Sequence, residues 1–136
     1  KTENLVLIDD YAHHPAEISA VYQAICEMHP GKKALAVFQP HLFSRTRDFI
    51  GEFAESLSKF HEVMLLEIYP AREFPLEGIN SAWLLGKINN PEKQLVSKKD
   101  LPEKIRKSNC EVIVMMGAGD IGEEVEQVKN ALQNED

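Results

Sequence analysis

The sequence predicts an α/β fold, a doubly wound, mostly parallel sheet with helices on both faces. Three observations lead there. Short apolar runs alternate with segments whose apolar residues recur at helical spacing. The runs are continuously apolar, which is the pattern of strands buried on both faces by crossover helices. Polar clusters recur just after the runs, at the strand ends where open parallel sheets bind ligands. With 136 residues the chain suffices for a single domain, 1–136, around one sizeable core.

The elements follow in order. Leu5 to Ile8 reads as a buried strand ending in Asp9-Asp10. His14-Pro15 opens a helix with proline in its first turn; Ile18, Val21, Tyr22 and Ile25 line its apolar face, and Pro30-Gly31 stops it. Ala34 to Phe38 is a second strand, broken by Pro40. Ser44 reads as the N-cap of a helix whose apolar face is Phe49, Ile50, Phe53, Leu57 and Phe60. Val63 to Ile68 reads as a third strand, and residues 71–78, with Pro75 and Gly78, as a loop. A short helix follows from Asn80 or Ser81 through Trp83, Leu84 and Leu85. Leu95-Val96 is a short strand, and Leu101 to Lys107 a short helix with Pro102 in its first turn. Glu111 to Met116 is the clearest strand, and Ile121, Val125, Val128 and Leu132 form the stripe of a closing helix. Right-handed crossovers between parallel strands give the doubly wound arrangement.

Composition narrows the function classes. Apolar residues are 43% and charged residues 27% of the chain, and the formal charge is −7 without a basic stripe. That balance argues against nucleic acid and anionic membrane as partners. No apolar run reaches the roughly 18–20 residues of a membrane span. The chain begins at Lys1-Thr2-Glu3-Asn4 without signal-peptide organisation and enters a strand almost at once, which reads as a piece of a longer, cytoplasmic protein. Two cysteines, Cys26 and Cys110, stand on different elements and are expected to be reduced core thiols.

The strand ends carry the chemistry. Asp9-Asp10-Tyr11-Ala12-His13-His14-Pro15 packs two carboxylates, a phenol and two imidazoles into seven residues. The carboxylates suit ribose hydroxyls, and the imidazoles suit phosphate, a carboxylate or base catalysis; the plainer alternative is a polar loop whose Asp caps the next helix. No metal site is expected, because adjacent histidines project apart and the cysteines lie elsewhere. Gln39-Pro40-His41-Leu42-Phe43-Ser44-Arg45-Thr46-Arg47 enters a helix at the second strand end. Arginine forks there suit carboxylate or phosphate, unless Arg45 and Arg47 pair with Asp48 or Glu52. Tyr69-Pro70-Ala71-Arg72-Glu73 is the third such end, where Arg72 either binds an anion or pairs with Glu73. Gly117-Ala118-Gly119-Asp120-Ile121-Gly122 matches G-x-G-x-x-G, but it follows the last strand and no later strand supplies a ribose-binding acid. It reads instead as a tight turn that lets backbone approach a ligand or another domain. G-x-x-x-x-G-K-[ST] is absent, so this chain brings no P-loop for ATP; what remains is a ligand-binding domain with an incomplete site.

Together these motifs, with Phe38-Gln39-Pro40-His41, Glu67-Ile68-Tyr69 and Met116-Gly117-Ala118-Gly119-Asp120-Ile121 in the same order, resemble the C-terminal domain of the Mur ligase family. The resemblance covers essentially the whole chain and points to the branch that joins L-alanine to UDP-N-acetylmuramate. It implies a three-domain ligase of peptidoglycan synthesis. An N-terminal domain would hold the uridine nucleotide, and a central domain would carry the P-loop and most contacts to ATP and Mg²⁺. The isolated domain would fold but be inactive. ATP would phosphorylate the muramyl carboxylate, and the alanine amine would displace phosphate from the acyl phosphate. The resemblance places Asp10 on the ATP ribose and Tyr11 beside the nucleotide. It puts His13 and Arg45 among the catalytic groups, and His41, Arg45, Arg47, Tyr69 and Arg72 among the substrate-binding ones. One departure is Leu42, where some members carry arginine; Arg47 or Arg72 would then supply a second guanidinium. Two alternatives stand beside this reading: a murein tripeptide ligase of cell-wall recycling, and a non-catalytic doubly wound binding module.

Overall fold

A computed structural model describes residues 5–133. Five strands form one sheet in the order β1-β5-β2-β3-β4, with every neighbouring pair parallel. The strands are β1 (Val6–Asp10), β2 (Ala34–Phe38), β3 (Glu62–Leu65), β4 (Lys93–Leu95) and β5 (Val112–Met116). The sheet is therefore wholly parallel where the sequence suggested mostly so. β2 and β5 are buried along their entire length, which explains their unbroken apolar sequence.

Strand alternation divides the core into two layers. Ala34, Ala36 and Phe38 of β2, Val63 and Leu65 of β3, and Val112, Val114 and Met116 of β5 share one face. Helices α1 (Pro15–Met28), α3 (Ile50–Ser58) and α4 (Ser81–Lys87) cover it through Ile18, Ile25, Phe53, Leu57 and Leu84. Leu35, Val37, Met64, Ile113 and Met115 form the opposite face, covered by α5 (Leu101–Arg106) and α6 (Val125–Gln133) through Leu101, Ile105, Val128 and Leu132. None of the described helices is long and apolar enough to cross a membrane.

The structure corrects several expectations. The helix predicted from Ser44 through the Phe49–Phe60 stripe is two helices, α2 (Phe43–Asp48) and α3, because Phe49 breaks the helical path at φ −120°, ψ 27°. Its N-cap is Leu42, at φ 76°, and not Ser44. β3 ends at Leu65; beyond it the chain continues as irregular backbone that still pairs with its neighbour, with Leu66 N–H donating to Phe38 O at 3.0 Å. The fourth strand lies at Lys93–Leu95, and Val96 N–H still donates to Leu65 O at 2.9 Å. Ile121 lies in a 3₁₀ turn, Asp120–Glu124, that leads into α6. Cys110 is buried as expected, whereas Cys26 is exposed on α1. Burial pushes the Cys110 thiol up to about 11.

Candidate active site

Three of the polar strand ends meet above β1 and β2. At the end of β1, Asp10 accepts the Ala12 N–H on Oδ1 at 2.9 Å, which turns the chain sharply and buries Ala12. The helix is capped from within and not by an aspartate: the Glu17 carboxylate accepts the N–H groups of His13 (2.9 Å) and His14 (3.1 Å). The His13 amide bond is the main reason the Glu17 pKa lies below its ordinary value. Pinned this way, His13 turns its Nδ1 to the Tyr11 carbonyl at 2.9 Å. A carbonyl only accepts, so Nδ1 carries the proton and Nε2 of the neutral ring keeps its lone pair.

At the end of β2, His41 has the complementary form. Its Nδ1 lies 3.2 Å from Nη1 of Arg45, and a guanidinium only donates. Nδ1 is thus the acceptor, and the neutral ring carries its proton on Nε2. Burial, and then the charges of Arg45 and His13, hold the His41 pKa below its ordinary value, with Glu73 pulling the other way. The His13 and His41 rings stand 6.0 Å apart, edge to face, which brings a ring with an open lone pair next to one with an open N–H donor. Tyr69 stacks on His41 at 5.6 Å and 19°. Tyr11 meets His13 at 5.7 Å, and His14 meets His13 at 5.0 Å. The loops after β2 and β3 are joined at this point: Leu42 N–H donates to Tyr69 O, and Tyr69 N–H donates to Pro40 O, both at 2.8 Å.

The sequence-derived residues therefore divide. His13, His41, Arg45 and Tyr69 come together, with Tyr11 and Asp10 at one flank. Asp10, Tyr11, Ala12, Glu17, Ala20 and Val21 line a cleft of about 320 Å³ there. Tyr11 is 71% exposed, and the second carboxylate oxygen of Asp10 has no protein partner among the described residues. Arg47 instead pairs with Asp48 at 2.9 Å, as the plainer reading of that motif held. Arg72 is exposed, and among the described residues it has no ion pair, Glu73 included. Among the described residues, neither arginine has a hydrogen bond or ion pair to His41 or Arg45. No group of three or more His, Cys, Asp or Glu among the described residues is arranged to hold a metal ion.

The glycine-rich turn after β5 lies against the same loops. A Cβ on Gly119 would sit 2.5 Å from Cγ of Tyr69 and 2.7 Å from Oε1 of Gln39. On Gly117, at φ +155°, it would sit 2.8 Å from Ile121. The glycines let the turn approach Tyr69 and Gln39 of this chain. Buried Gln39 fastens it, donating to Asp120 Oδ1 at 2.7 Å and accepting the Ile121 N–H at 3.0 Å. Lys98 holds the other oxygen of Asp120. Sequence reasoning passed over Glu17, Gln39 and Lys98 as individuals, and considered Glu73 only as a partner for Arg72, whereas it binds Ser44. Only Gln39 and Glu73 had a signal, through their place in strand-end motifs.

Comparison with known proteins identifies the family. The family model for the Mur ligase glutamate ligase domain matches residues 1–121. The UDP-N-acetylmuramate–L-alanine ligase of Christiangramia forsetii is 69% identical over 135 residues, which are 99% of this chain and 30% of that protein. The chain thus spans about a third of such relatives. Among solved structures, a murein peptide ligase from Psychrobacter arcticus superposes with a TM-score of 0.74 at 20% identity, over 98% of this chain and 28% of that one. A bifunctional folylpolyglutamate synthase/dihydrofolate synthase from Yersinia pestis, solved with AMPPNP and a manganese ion, gives 0.62 at 18% identity over 96% and 29%. The chain belongs to the Mur ligase family, as its glutamate ligase domain.

Proposed function

We propose that the chain is the C-terminal domain of the ATP-dependent ligase that joins L-alanine to UDP-N-acetylmuramate in peptidoglycan synthesis. The observation that carries this reading is the pairing of His13 and His41 beside Arg45. It is a compact cationic edge with one lone pair and one N–H donor, in a chain 69% identical to a relative of that name. The sheet presents this edge beyond the carboxyl ends of its strands, where a partner domain can close over it. Residues 1–136 are read as one domain of the three-domain, cytoplasmic enzyme, whose N-terminal and central domains hold the nucleotide sugar and most of the ATP.

The roles follow from the atoms. Arg45 holds the alanine carboxylate by a two-pronged charge-assisted contact, with the His41 Nε2–H free to donate to the same carboxylate or to the phosphoryl oxygens. In the reaction the muramyl carboxylate receives the γ-phosphoryl group. The alanine nitrogen then attacks the acyl carbon, and the C–O bond to phosphate breaks. The His13 Nε2 lone pair accepts the proton that the amine sheds as the amide forms. Positive charge from Arg45 stabilises the oxyanion and the leaving phosphate. The free oxygen of Asp10 and the exposed ring of Tyr11, above Ala12, Ala20 and Val21, suit a ribose hydroxyl and the nucleotide. Mg²⁺ would balance phosphate charge, and its ligands are assigned to the central domain. Arg47, committed to Asp48, and exposed Arg72 are the weaker members of the substrate-binding set.

The test is phosphate release by the full-length protein with ATP, Mg²⁺ and UDP-N-acetylmuramate, offering L-alanine, glycine, L-serine and the murein tripeptide separately. Preference for L-alanine is the expected result. Release only with the tripeptide would move the protein to cell-wall recycling. No release from folded protein would leave a binding module.

A further inference from the structure

Helix α2 presents Arg45 to the site, yet it lacks the means to start itself. Its N-cap is Leu42, which has no side-chain oxygen and stands at φ 76°, a backbone region that a leucine adopts at a cost. Both arginines fall in the last turn of this six-residue helix, where positive charge suits the dipole, so what is lacking lies at its start. A remote residue supplies it. The Glu73 carboxylate accepts the Ser44 N–H on Oε1 at 3.1 Å and the Ser44 hydroxyl on Oε2. The Phe43 amide contributes as well. Glu73 is itself held in a turn, its N–H donating to Pro70 O at 2.9 Å. With the Leu42–Tyr69 and Tyr69–Pro40 backbone bonds, this makes a closed ring of contacts. It runs from His41 through α2 to Glu73 and back by Tyr69 to the face of His41.

We propose that Glu73 is a positioning residue for the amino-acid substrate, seating the first turn of α2 so that Arg45 stands against His41 with its fork aimed into the site. Glu73 does not touch the substrate and acts through Ser44. The Ser44 hydroxyl bond, above all, keeps the carboxyl of Glu73 below its ordinary pKa, so the anchor stays charged through the neutral range. The inference rests on Arg45 binding the alanine carboxylate, and its test separates the two ideas.

Glu73→Ala, Glu73→Gln and Ser44→Ala are to be made in the full-length ligase, with KM measured separately for L-alanine and for ATP. In the same proteins the imidazole ¹⁵N resonances of His41 report its tautomer. Glu73→Ala is expected to raise the alanine KM about tenfold, the scale of one charge-assisted hydrogen bond, and to leave the ATP KM within about twofold. Glu73→Gln, which keeps an acceptor for the Ser44 N–H, should recover part of that loss, and Ser44→Ala should lose less than Glu73→Ala. The His41 nitrogens should move toward a mixture of tautomers in Glu73→Ala as Arg45 leaves Nδ1. An unchanged alanine KM, equal rises in both KM values, or unmoved His41 resonances would overturn the proposal. If wild type does not use L-alanine, the functional reading fails by itself, and the His41 resonances still decide whether Glu73 positions Arg45. Should Glu73→Ala not fold, Glu73→Gln and Ser44→Ala carry the same comparison.

Discussion

The turn after β5 and the loops after β1 and β2 lie at the same end of the sheet and are both rich in polar groups, yet they use them in opposite ways. After β5, both Asp120 oxygens are engaged inside the protein, by Gln39 and Lys98, and both ends of the Gln39 amide are occupied. After β1 and β2, one oxygen of Asp10, Nε2 of His13, Nε2 of His41 and most of the Arg45 donors have no protein partner among the described residues. Each is half satisfied, just enough to fix its orientation. A polar group held at one end and open at the other is placed to receive a ligand, whereas one held at both ends is a brace. Local motif strength points the wrong way here: G-x-G-x-x-G is the more familiar pattern, but it marks the brace.

The largest effects should come from removing an open group. Arg45→Ala in the full-length enzyme is expected to raise the L-alanine KM roughly 10- to 100-fold, the loss of about 1.5–3 kcal/mol from a charged hydrogen-bonded contact, without raising the ATP KM. Asp10→Ala should do the reverse, raising the ATP KM and sparing that for L-alanine. Steady-state kinetics on both variants checks the pair, and equal effects on the two substrates would dissolve the distinction between the flanks of the site. Arg45→Ala should leave the urea midpoint of unfolding nearly unchanged, whereas Asp10→Ala should also cost about 1 kcal/mol of stability through the lost bond to the Ala12 N–H.

Damage to the brace should show in stability first. Gly119→Ala puts a methyl group 2.5 Å from the Tyr69 ring and 2.7 Å from Gln39 Oε1, inside any allowed contact. The cost should be about 1–3 kcal/mol, read as a lowered midpoint in urea. An unchanged midpoint would mean that Tyr69 swings away freely, and the stacked His41 should then show it in its ring resonances. Asp120→Asn is gentler. Burial pushes the Asp120 carboxyl up, but the bonds from Lys98 and Gln39 together outweigh it and hold the pKa below its ordinary 3.8. A carboxylate depressed in the fold contributes stability that is present above its unfolded pKa and is lost as pH falls through the folded value. Asn at 120 should therefore lower stability near neutrality by less than about 1 kcal/mol, because the ion pair is partly exposed, and flatten the unfolding curve below about pH 4. His41 adds a slope of the same sign at higher pH. Kept neutral by burial and by Arg45, it binds its proton more weakly than an unfolded histidine, so stability falls as pH drops below its ordinary 6.5.

Much of this was legible in the sequence because it depends on period and punctuation. The apolar runs in Ala34 to Phe38 and Glu111 to Met116 read as strands buried on both faces, and their parallel order follows from the helices between them. The three strand-end motifs were visible because polar residues stopped those runs abruptly. What lay out of reach depends on distance in the chain. Ser44 is a good N-cap by type, but the bond that matters comes from Glu73, 29 residues on, and frees Leu42 to take the cap position. The break at Phe49 was hidden because Phe49 and Ile50 fit the same apolar stripe. Lys98 has no motif at all; only the strand order brings β4 beside β3 and its following loop to Asp120.

The smallest effects should come from the two arginines that spacing alone made attractive. Arg47 is exposed and its guanidinium Nε is committed to Asp48, the neighbouring residue, while Arg72 stands exposed on the next loop. Leu42 stands where the family resemblance allowed a further arginine, and its side chain offers no charge. If Arg45 alone supplies the guanidinium for the amino-acid carboxylate, Arg47→Ala and Arg72→Ala should each change stability by less than about 0.5 kcal/mol, as surface substitutions do. The alanine KM should stay within about twofold in both. A tenfold rise for Arg72→Ala would show that its loop folds over the bound amino acid. The open edge would then extend past Tyr69, and Glu73, one residue along, would carry a moving element where it now anchors a fixed one.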